Sequence, residues 1–292
     1  MKLLILGGAG MLGHKVWQRL SPRFETYVTL RSDDAVELLA QMGSRERILT
    51  GVDAGDFASI EAAIERVQPD VVVNCIGIIK QLPGAYDPVL SISINSLLPH
   101  LLARSLKARG TRLIHISTDC VFNGRKGMYR ESDQSDAEDL YGRSKFLGEV
   151  AGENALTLRT SIIGRELRAS TSLVEWFLSN RGGAVDGYET AIFSGLTTVA
   201  LADVIGDVIE RHSGLTGLYQ VSTEPIDKLA LLSLLNVAYG ANVIIRPSSA
   251  VRIDRSLDSS RFREATGWMP RPWPELVAEM AADPTPYDDW RP

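Results

Sequence analysis

Apolar and polar positions run along the first half of the chain in two alternating rhythms. Short apolar runs at residues 2–6, 26–30, 47–49, 71–75, 112–116 and 155–159 predict strands. The run Val71-Val72-Val73 has no polar alternation, as a strand buried on both faces requires. Between the runs, residues 11–20, 34–42, 57–67, 88–109 and 140–154 carry apolar side chains at helical spacing. Asp33 and Asp56 are expected N-caps, and Pro69-Asp70 and Gly110-Thr111 are expected breaks before strands. Strand and helix in repeated alternation predict an α/β fold with a Rossmann-type, doubly wound parallel sheet, because every parallel crossover needs a covering helix.

After Arg159 the rhythm loosens. Residues 171–180, 200–211 and 225–239 read as helices, 217–221 as a strand, and 275–280 as a short final helix. Residues 249–274 are rich in Arg, Ser and Pro and predict no regular element. The expected division is a sheet domain of residues 1–160 with about 196–222. Residues of about 161–195 and 223–292 would form a smaller C-terminal substrate lobe.

Composition narrows the function classes. The chain has 292 residues, 45% hydrophobic and 23% charged, which suits a globular protein with a sizeable core. Its formal charge of −5 offers no basic footprint for nucleic acid. The longest apolar runs are strand-length, short of the roughly 20 residues that span a bilayer, so no membrane segment is expected. Residues 1–6 read as a first strand and not as a signal peptide. Cys75 and Cys120 alone cannot form a disulfide framework and suit a reducing cytoplasm. Four scattered histidines give no metal site.

The first strand runs into Gly7-Gly8-Ala9-Gly10-Met11-Leu12-Gly13. Glycines at this spacing, between a strand and a helix, let a backbone turn approach a pyrophosphate that rests on the free N–H groups of the helix. Arg31 follows the second strand, where an arginine suits the 2′-phosphate of NADP(H) and an acidic residue the ribose of NAD(H). NADP(H) is therefore the preferred cofactor, with Asp33 and Asp34 keeping NAD(H) open.

Farther on, Tyr141 and Lys145 stand four apart on one predicted helix, on the same face. A free phenol, with a pKa of about 10, is a poor acid and a scarce base at neutrality. A neighbouring ammonium stabilises the phenolate and makes proton transfer feasible. The pair comes one strand–loop–helix unit after Ser117-Thr118.

The GxxGxxG loop and the Tyr-x-x-x-Lys pair resemble the extended short-chain dehydrogenases/reductases. The stretch STDCVFNGRKGMYRESDQSDAEDLYGRSKFLGE resembles their dTDP-4-dehydrorhamnose reductase branch, with its STDYVFDG…YxExD…YGxSKxxGE pattern. Leu158-Arg159-Thr160-Ser161, Gly195-Leu196-Thr197-Thr198, Gly217-Leu218-Tyr219-Gln220-Val221-Ser222 and Arg255-Ser256-Leu257-Asp258 extend the resemblance over nearly the whole chain. It implies reduction of a 4-keto group on a nucleotide-linked deoxysugar in carbohydrate biosynthesis. Tyr141 would protonate the carbonyl oxygen, Thr118 would hydrogen-bond it, Lys145 would also hold the nicotinamide ribose, and Asn95 would order a helix kink and a relay water. The resemblance places Gly7, Gly10, Met11, Leu12, Gly13, Arg31, Asp53, Cys75, Ile76, Gly77 and Ser117 against the cofactor, with Tyr141 and Lys145. It places Asp119, Cys120, Val121, Phe122, Trp176 and Arg255 on the substrate side. Arg165, Arg168, Arg252 and Arg261 join Arg255 as candidate diphosphate ligands.

This sequence departs from the branch at three places. Cys120 replaces a Tyr, no Pro precedes the catalytic Tyr, and residues 76–86 lack the substrate-facing AAYTxVDxAE run. Cys120 therefore leaves open a bifunctional epimerase/reductase, with Glu166 in place of the missing partner His. A second alternative is a non-catalytic, NADP-binding regulatory subunit. A 4,6-dehydratase is disfavoured, because Asp119 is followed by Cys120 where that chemistry needs Glu. A homodimer is the base-rate expectation.

Overall fold

The computed structural model describes residues 1–80, 86–168 and 170–290. The first half comprises β1 (Lys2–Leu6), α1 (Gly13–Leu20), β2 (Glu25–Thr29), α2 (Val36–Ala40), β3 (Ile48–Leu49), α3 (Phe57–Val67) and β4 (Val71–Asn74). Then α4 (Pro88–Ser91) passes through a π-helical turn (Ile92–Leu97) into α5 (Leu98–Ala108), followed by β5 (Arg112–Thr118), α6 (Leu140–Leu147) and β6 (Ala155–Thr160). Beyond it lie β7 (Ile162–Ile163), α7 (Leu173–Ser179), β8 (Ala184–Tyr188), β9 (Ala191–Phe193), β10 (Leu196–Thr197), α8 (Thr198–Arg211) and β11 (Gly217–Gln220). The chain closes with β12 (Ile226–Asp227), α9 (Lys228–Tyr239), β13 (Ile244–Ser248), β14 (Ile253–Asp254), α10 (Ser260–Thr266) and α11 (Trp273–Ala281).

Seven strands form one parallel sheet in the order β11-β6-β5-β4-β1-β2-β3. Side chains of β1 alternate between its faces. Leu3 and Ile5 enter a core with Val16, Trp17 and Leu20 of α1 and Ile205 of α8, while Leu4 and Leu6 meet Ile60 and Ile64 of α3 and Leu102 and Leu106 of α5. Strand order reverses between β1 and β4, which opens a crevice beyond their carboxyl ends, the place where such sheets take ligands. The remaining strands form small sheets outside this one: β10 with β7, β12-β9-β14, and β13 with β8.

Several expectations shift. The helix begun at Leu140 ends at Leu147 instead of reaching residue 154, because Gly148 lies against the π-helical turn: a Cβ there would stand 1.8 Å from the Asn95 carbonyl oxygen. Asp56 caps α3 through Ala58 N, but Asp33 does not cap. It lies inside a 3₁₀ turn (Asp33–Ala35), and Ser32, at the cap position, donates its hydroxyl to the Asp34 carboxylate instead. The region without expected structure holds β14 and α10. Pro88–Ala108, at 21 residues, is long and apolar enough to cross a bilayer by those two criteria, contrary to the strand-length runs seen in the sequence. Its Leu98, Leu102 and Leu106 are packed into the core below the sheet.

At the β5–β6 corner Arg159 and Glu149 form a buried two-pronged pair, with Nε at 2.9 Å and Nη2 at 2.6 Å from the carboxylate oxygens. Ser117 Oγ donates to the same carboxylate at 2.7 Å. Removing one partner of a buried pair strands the other charge, at a cost of about 3–5 kcal/mol. Glu149→Ala is therefore expected to lose that much stability in urea denaturation, and the apolar double variant Glu149→Leu/Arg159→Met to recover most of it.

Candidate active site

The glycine run makes its turn immediately beyond β1. Gly7 has φ +85°, open to glycine at little cost, and Gly8 N donates to Thr29 O at 2.9 Å. Helix α1 is seated directly on this turn, since a Cβ on Gly13 would lie 2.1 Å from Gly7 O. Gly10 is exposed and the cap position at Leu12 contributes no side-chain bond, while His14 N, one residue into α1, donates to Gly10 O at 3.2 Å. Beyond β4, Ile76 leans on the same loop, its Cγ1 3.0 Å from where a Cβ on Gly7 would be. Burial pushes the Cys75 thiol up to about 12. Arg31 and Asp53 are exposed at the tips after β2 and β3, and Asp53 accepts from Gly55 N at 2.8 Å. These residues supply a cradle, a phosphate-facing helix end and a free guanidinium, which fit a dinucleotide.

The π-helical turn brings the cradle to the chemistry. Asn95 Oδ1 accepts from Ile78 N at 2.8 Å, and its Nδ2 donates to Ile78 O at 3.0 Å and to Ser144 Oγ at 3.2 Å. One side chain thus ties the loop after β4 to α6. Gly77 lies between them, its Cβ position 4.0 Å from Lys145 Nζ. Lys145 donates to Ile116 O at 2.7 Å, and burial lowers its ammonium to about 8. Tyr141 is held well above the ordinary phenol value, chiefly by burial and then by the neighbouring Cys120, while a hydrogen bond with Thr118 pulls the other way. Thr118 also donates to Asp119 Oδ1 and accepts from Cys120 N, both at 3.1 Å. The site therefore presents a protonated phenol touching a threonine hydroxyl, with an ammonium one helical turn away.

On the substrate side the expectations divide. Asp119 is buried with its carboxyl raised, first by burial, against the pull of Arg255 and Lys228. Burial and then Asp119 push the Cys120 thiol up to about 12. Val121 and Phe122 are not open to a substrate, which corrects that expectation. Both are wholly buried with Tyr129 and Leu257, and Phe122 stacks on Tyr129 at 4.1 Å between centroids. Ser117 has its hydroxyl committed to Glu149 at 2.7 Å, and its main chain pairs with Arg159 in the sheet. Trp176 is 42% exposed on α7. Arg255 donates from Nε to Phe122 O at 2.7 Å. Arg165 is a structural residue, paired with Glu175 at 2.8 Å and with Asp288. Glu166 receives Thr171 N and Ser172 N, each at 2.8 Å, ahead of α7.

Two lysines escaped the sequence reading. Lys80 Nζ donates to Asp139 Oδ2 at 2.6 Å and lies 5.5 Å from the Tyr141 ring centroid. Asp139 in turn caps α6 through Gly142 N at 2.8 Å. Lys228 lies with Nζ 4.3 Å from the Phe193 centroid, lowered to about 8 by burial although Asp119 attracts its charge. An isolated lysine carries no motif; the first lies in the segment 76–86, which departs from the branch pattern. Residues 81–85 of that segment lie outside the described residues.

Comparisons with known proteins place this geometry in a family. Residues 1–224 match the family described as RmlD substrate binding domain. A protein of Streptomyces antibioticus named "Probable dTDP-4,6-dihydroxy-2-methyloxan-3-one 4-ketoreductase" is 30% identical over 75% of this chain and 70% of its own length. Methionine adenosyltransferase 2 subunit beta of Xenopus tropicalis is 26% identical over 94% of this chain and 80% of its own. The crystal structure of dTDP-4-dehydrorhamnose reductase from Bacillus anthracis in complex with NADP shares the fold, with TM-score 0.77 and 20% identity over 96% of this chain and 98% of that one.

The seating of α1 gives a test. Gly13→Ala drives a methyl to 2.1 Å from Gly7 O, an overlap that displaces loop or helix. Overpacking of about 1–3 kcal/mol is expected to weaken dinucleotide binding roughly 10- to 100-fold in fluorescence titration. Gly152→Ala, with open space around its Cβ, is expected to bind as wild type.

Proposed function

Since the chain belongs to the RmlD substrate-binding-domain family, we propose that it is an NADP(H)-dependent reductase of the 4-keto group of a nucleotide-linked deoxysugar. The observation that carries this reading is the half-buried phenol of Tyr141 in contact with Thr118, on the helix that Asn95 ties to the loop beyond β4. Residues 1–160 with about 196–222 would serve the dinucleotide. Gly7, Gly10, Met11, Leu12 and Gly13 would receive its pyrophosphate, Arg31 its 2′-phosphate, Asp53 its adenine side, and Cys75, Ile76 and Gly77 its nicotinamide side. Residues of about 161–195 and 223–292 would form the substrate lobe, to which Lys228 and Arg255 bring positive charge beside Asp119.

Bound NADPH would supply the hydride to the ketone carbon. Tyr141 gives its proton to the ketone oxygen, which Thr118 steadies by its hydroxyl. Lys145 has three ammonium protons, of which the Ile116 carbonyl takes one, leaving two for the Tyr141 phenolate and a ribose hydroxyl. Asn95 holds the Ile78 main chain and Ser144 in register around this group. A single reduction is favoured over coupled epimerisation. A thiol raised as far as that of Cys120 is a poor base, and Glu166 is engaged ahead of α7. The same reading includes a homodimer, supported by exposed Val89, Ile92 and Leu97 near exposed Phe146 and Leu147 on the adjoining helix.

Oxidation of NADPH, followed by absorbance with enzymatically generated 4-keto-6-deoxy nucleotide sugars, is the direct test. Turnover with one of them is expected, and Tyr141→Phe is expected to lower kcat about 10²- to 10⁴-fold while NADPH still binds. Full turnover by that variant would rule out the assigned acid. The pH profile follows from Lys145. Its ammonium is present below about 8 and lost above, while the raised Tyr141 stays protonated across that range, so kcat/KM is expected to fall above pH about 8. The fall is expected to persist in Lys228→Arg, whose guanidinium keeps its charge, which would assign it to Lys145.

A further inference from the structure

Residues 283–290 return from the C-terminal side of the fold to the first turn of α1. Tyr287 is buried there, with its hydroxyl 2.8 Å from His14 Nε2, and His14 Nδ1 lies 2.8 Å from the carbonyl oxygen of Gly10. Gly10 belongs to the glycine loop, and its own N–H donates to Gly7 O at 3.1 Å. A carbonyl oxygen can only accept, so Nδ1 carries the imidazole proton. In the neutral ring Nε2 then accepts, and Tyr287 is the donor. Burial, which pushes His14 down to about 3, keeps the ring neutral.

The same segment is fastened on either side. Lys15 Nζ donates to Asp283 Oδ2 at 2.6 Å and to Thr285 Oγ1 at 3.1 Å. Arg165, held by Glu175 of α7, stacks 4.9 Å from the Tyr287 ring centroid and pairs with Asp288. Neither His14 nor Tyr287 touches the carbonyl-reducing groups, yet both are buried polar groups whose bonds end on the loop that would receive pyrophosphate.

We propose that Tyr287 is a positioning residue for the dinucleotide: by donating to His14 Nε2 it fixes the tautomer whose Nδ1–H holds the Gly10 carbonyl, and so keeps the glycine loop in its cofactor-receiving shape. This rests on the NADP(H) reading but on no particular sugar. Without the phenol hydroxyl the Nε2 lone pair of a buried ring is left without its donor, so the imidazole turns away from the Gly10 carbonyl and the loop loosens. Gly10 then loses one of its two bonds from residue 14, keeping only that from the His14 main chain at 3.2 Å.

The test is NADPH titration by fluorescence with wild type, Tyr287→Phe and His14→Leu/Tyr287→Phe. The double variant replaces both polar partners by apolar groups and so strands neither. About tenfold weaker NADPH binding is expected in both variants, the size of one lost buried hydrogen bond. With an active sugar, KM for NADPH is expected to rise with it, while kcat and the sugar's KM stay unchanged, a split that general loss of structure would not produce. Long-range proton–nitrogen spectra of histidine-labelled wild type are expected to show His14 as the Nδ1–H tautomer. Unchanged NADPH affinity in the folded variants, or an Nε2–H tautomer in wild type, overturns the proposal. Wild type that does not bind NADPH overturns the cofactor reading and this proposal with it.

Discussion

The arrangement of the reacting groups depends on the carboxylate of Glu149. It sits just past the end of α6, takes both prongs of Arg159 from β6 and receives the Ser117 hydroxyl from β5. Ser117 precedes Thr118 in the chain and Glu149 follows Lys145 by four residues, so one buried anion sets the threonine-bearing strand against the lysine-bearing helix. A buried ion pair contributes little net stability once desolvation is counted. What it contributes here is a fixed relation between β5, β6 and the end of α6, to which the Lys145 bond to Ile116 O adds a second tie. Arg159 also lies 5.0 Å over the Phe122 ring, which stacks on Tyr129. Val121 and Phe122 thereby belong to the platform beneath the site.

A second constraint comes from close backbone approach. Helix α1 rests on Gly7 only because residue 13 lacks a side chain, and α6 rests on the π-helical turn only because residue 148 lacks one. The π turn inserts Asn95 between the loop beyond β4 and Ser144, so that a single amide is shared by the cradle side and the catalytic side.

Much of this was legible in the sequence, for identifiable physical reasons. Helix α3 lies where its apolar spacing and the Asp56 cap placed it, and β1 where an unbroken apolar run met a glycine turn. Tyr141 and Lys145 stood out because residues four apart share a helix face, and the fold brings Thr118 against Tyr141. The length of α6 was misjudged because helical periodicity says nothing of Gly148, whose role is a contact with Asn95 more than fifty residues away in sequence. Strand β13 was invisible for a different reason. Its residues are largely exposed and show no alternation, so its pairing with β8 leaves no trace in the pattern. Lys80 and Lys228 belong to the same class: each acquires meaning only from the aromatic ring and carboxylate that the fold sets beside it. The resemblance gave no orientation for the Phe122 side chain, which turns inward after Cys120.

Burial acts on the two central groups in opposite directions, and the combination has a chemical consequence. It raises the phenol of Tyr141 and lowers the ammonium of Lys145, in each case by disfavouring the charged form. Near neutrality the pair thus holds its full complement of protons, with a neutral acid beside a cation. Loss of the Tyr141 proton to bulk water would create an anion in a dry site at high cost. Loss of the same proton to an oxygen that is gaining negative charge costs far less, because that charge is neutralised where it forms. On the proposed reading, the raised phenol of Tyr141 would resist ionisation at rest and yield its proton when a carbonyl oxygen becomes basic. The opposite direction would start from the phenolate that burial disfavours.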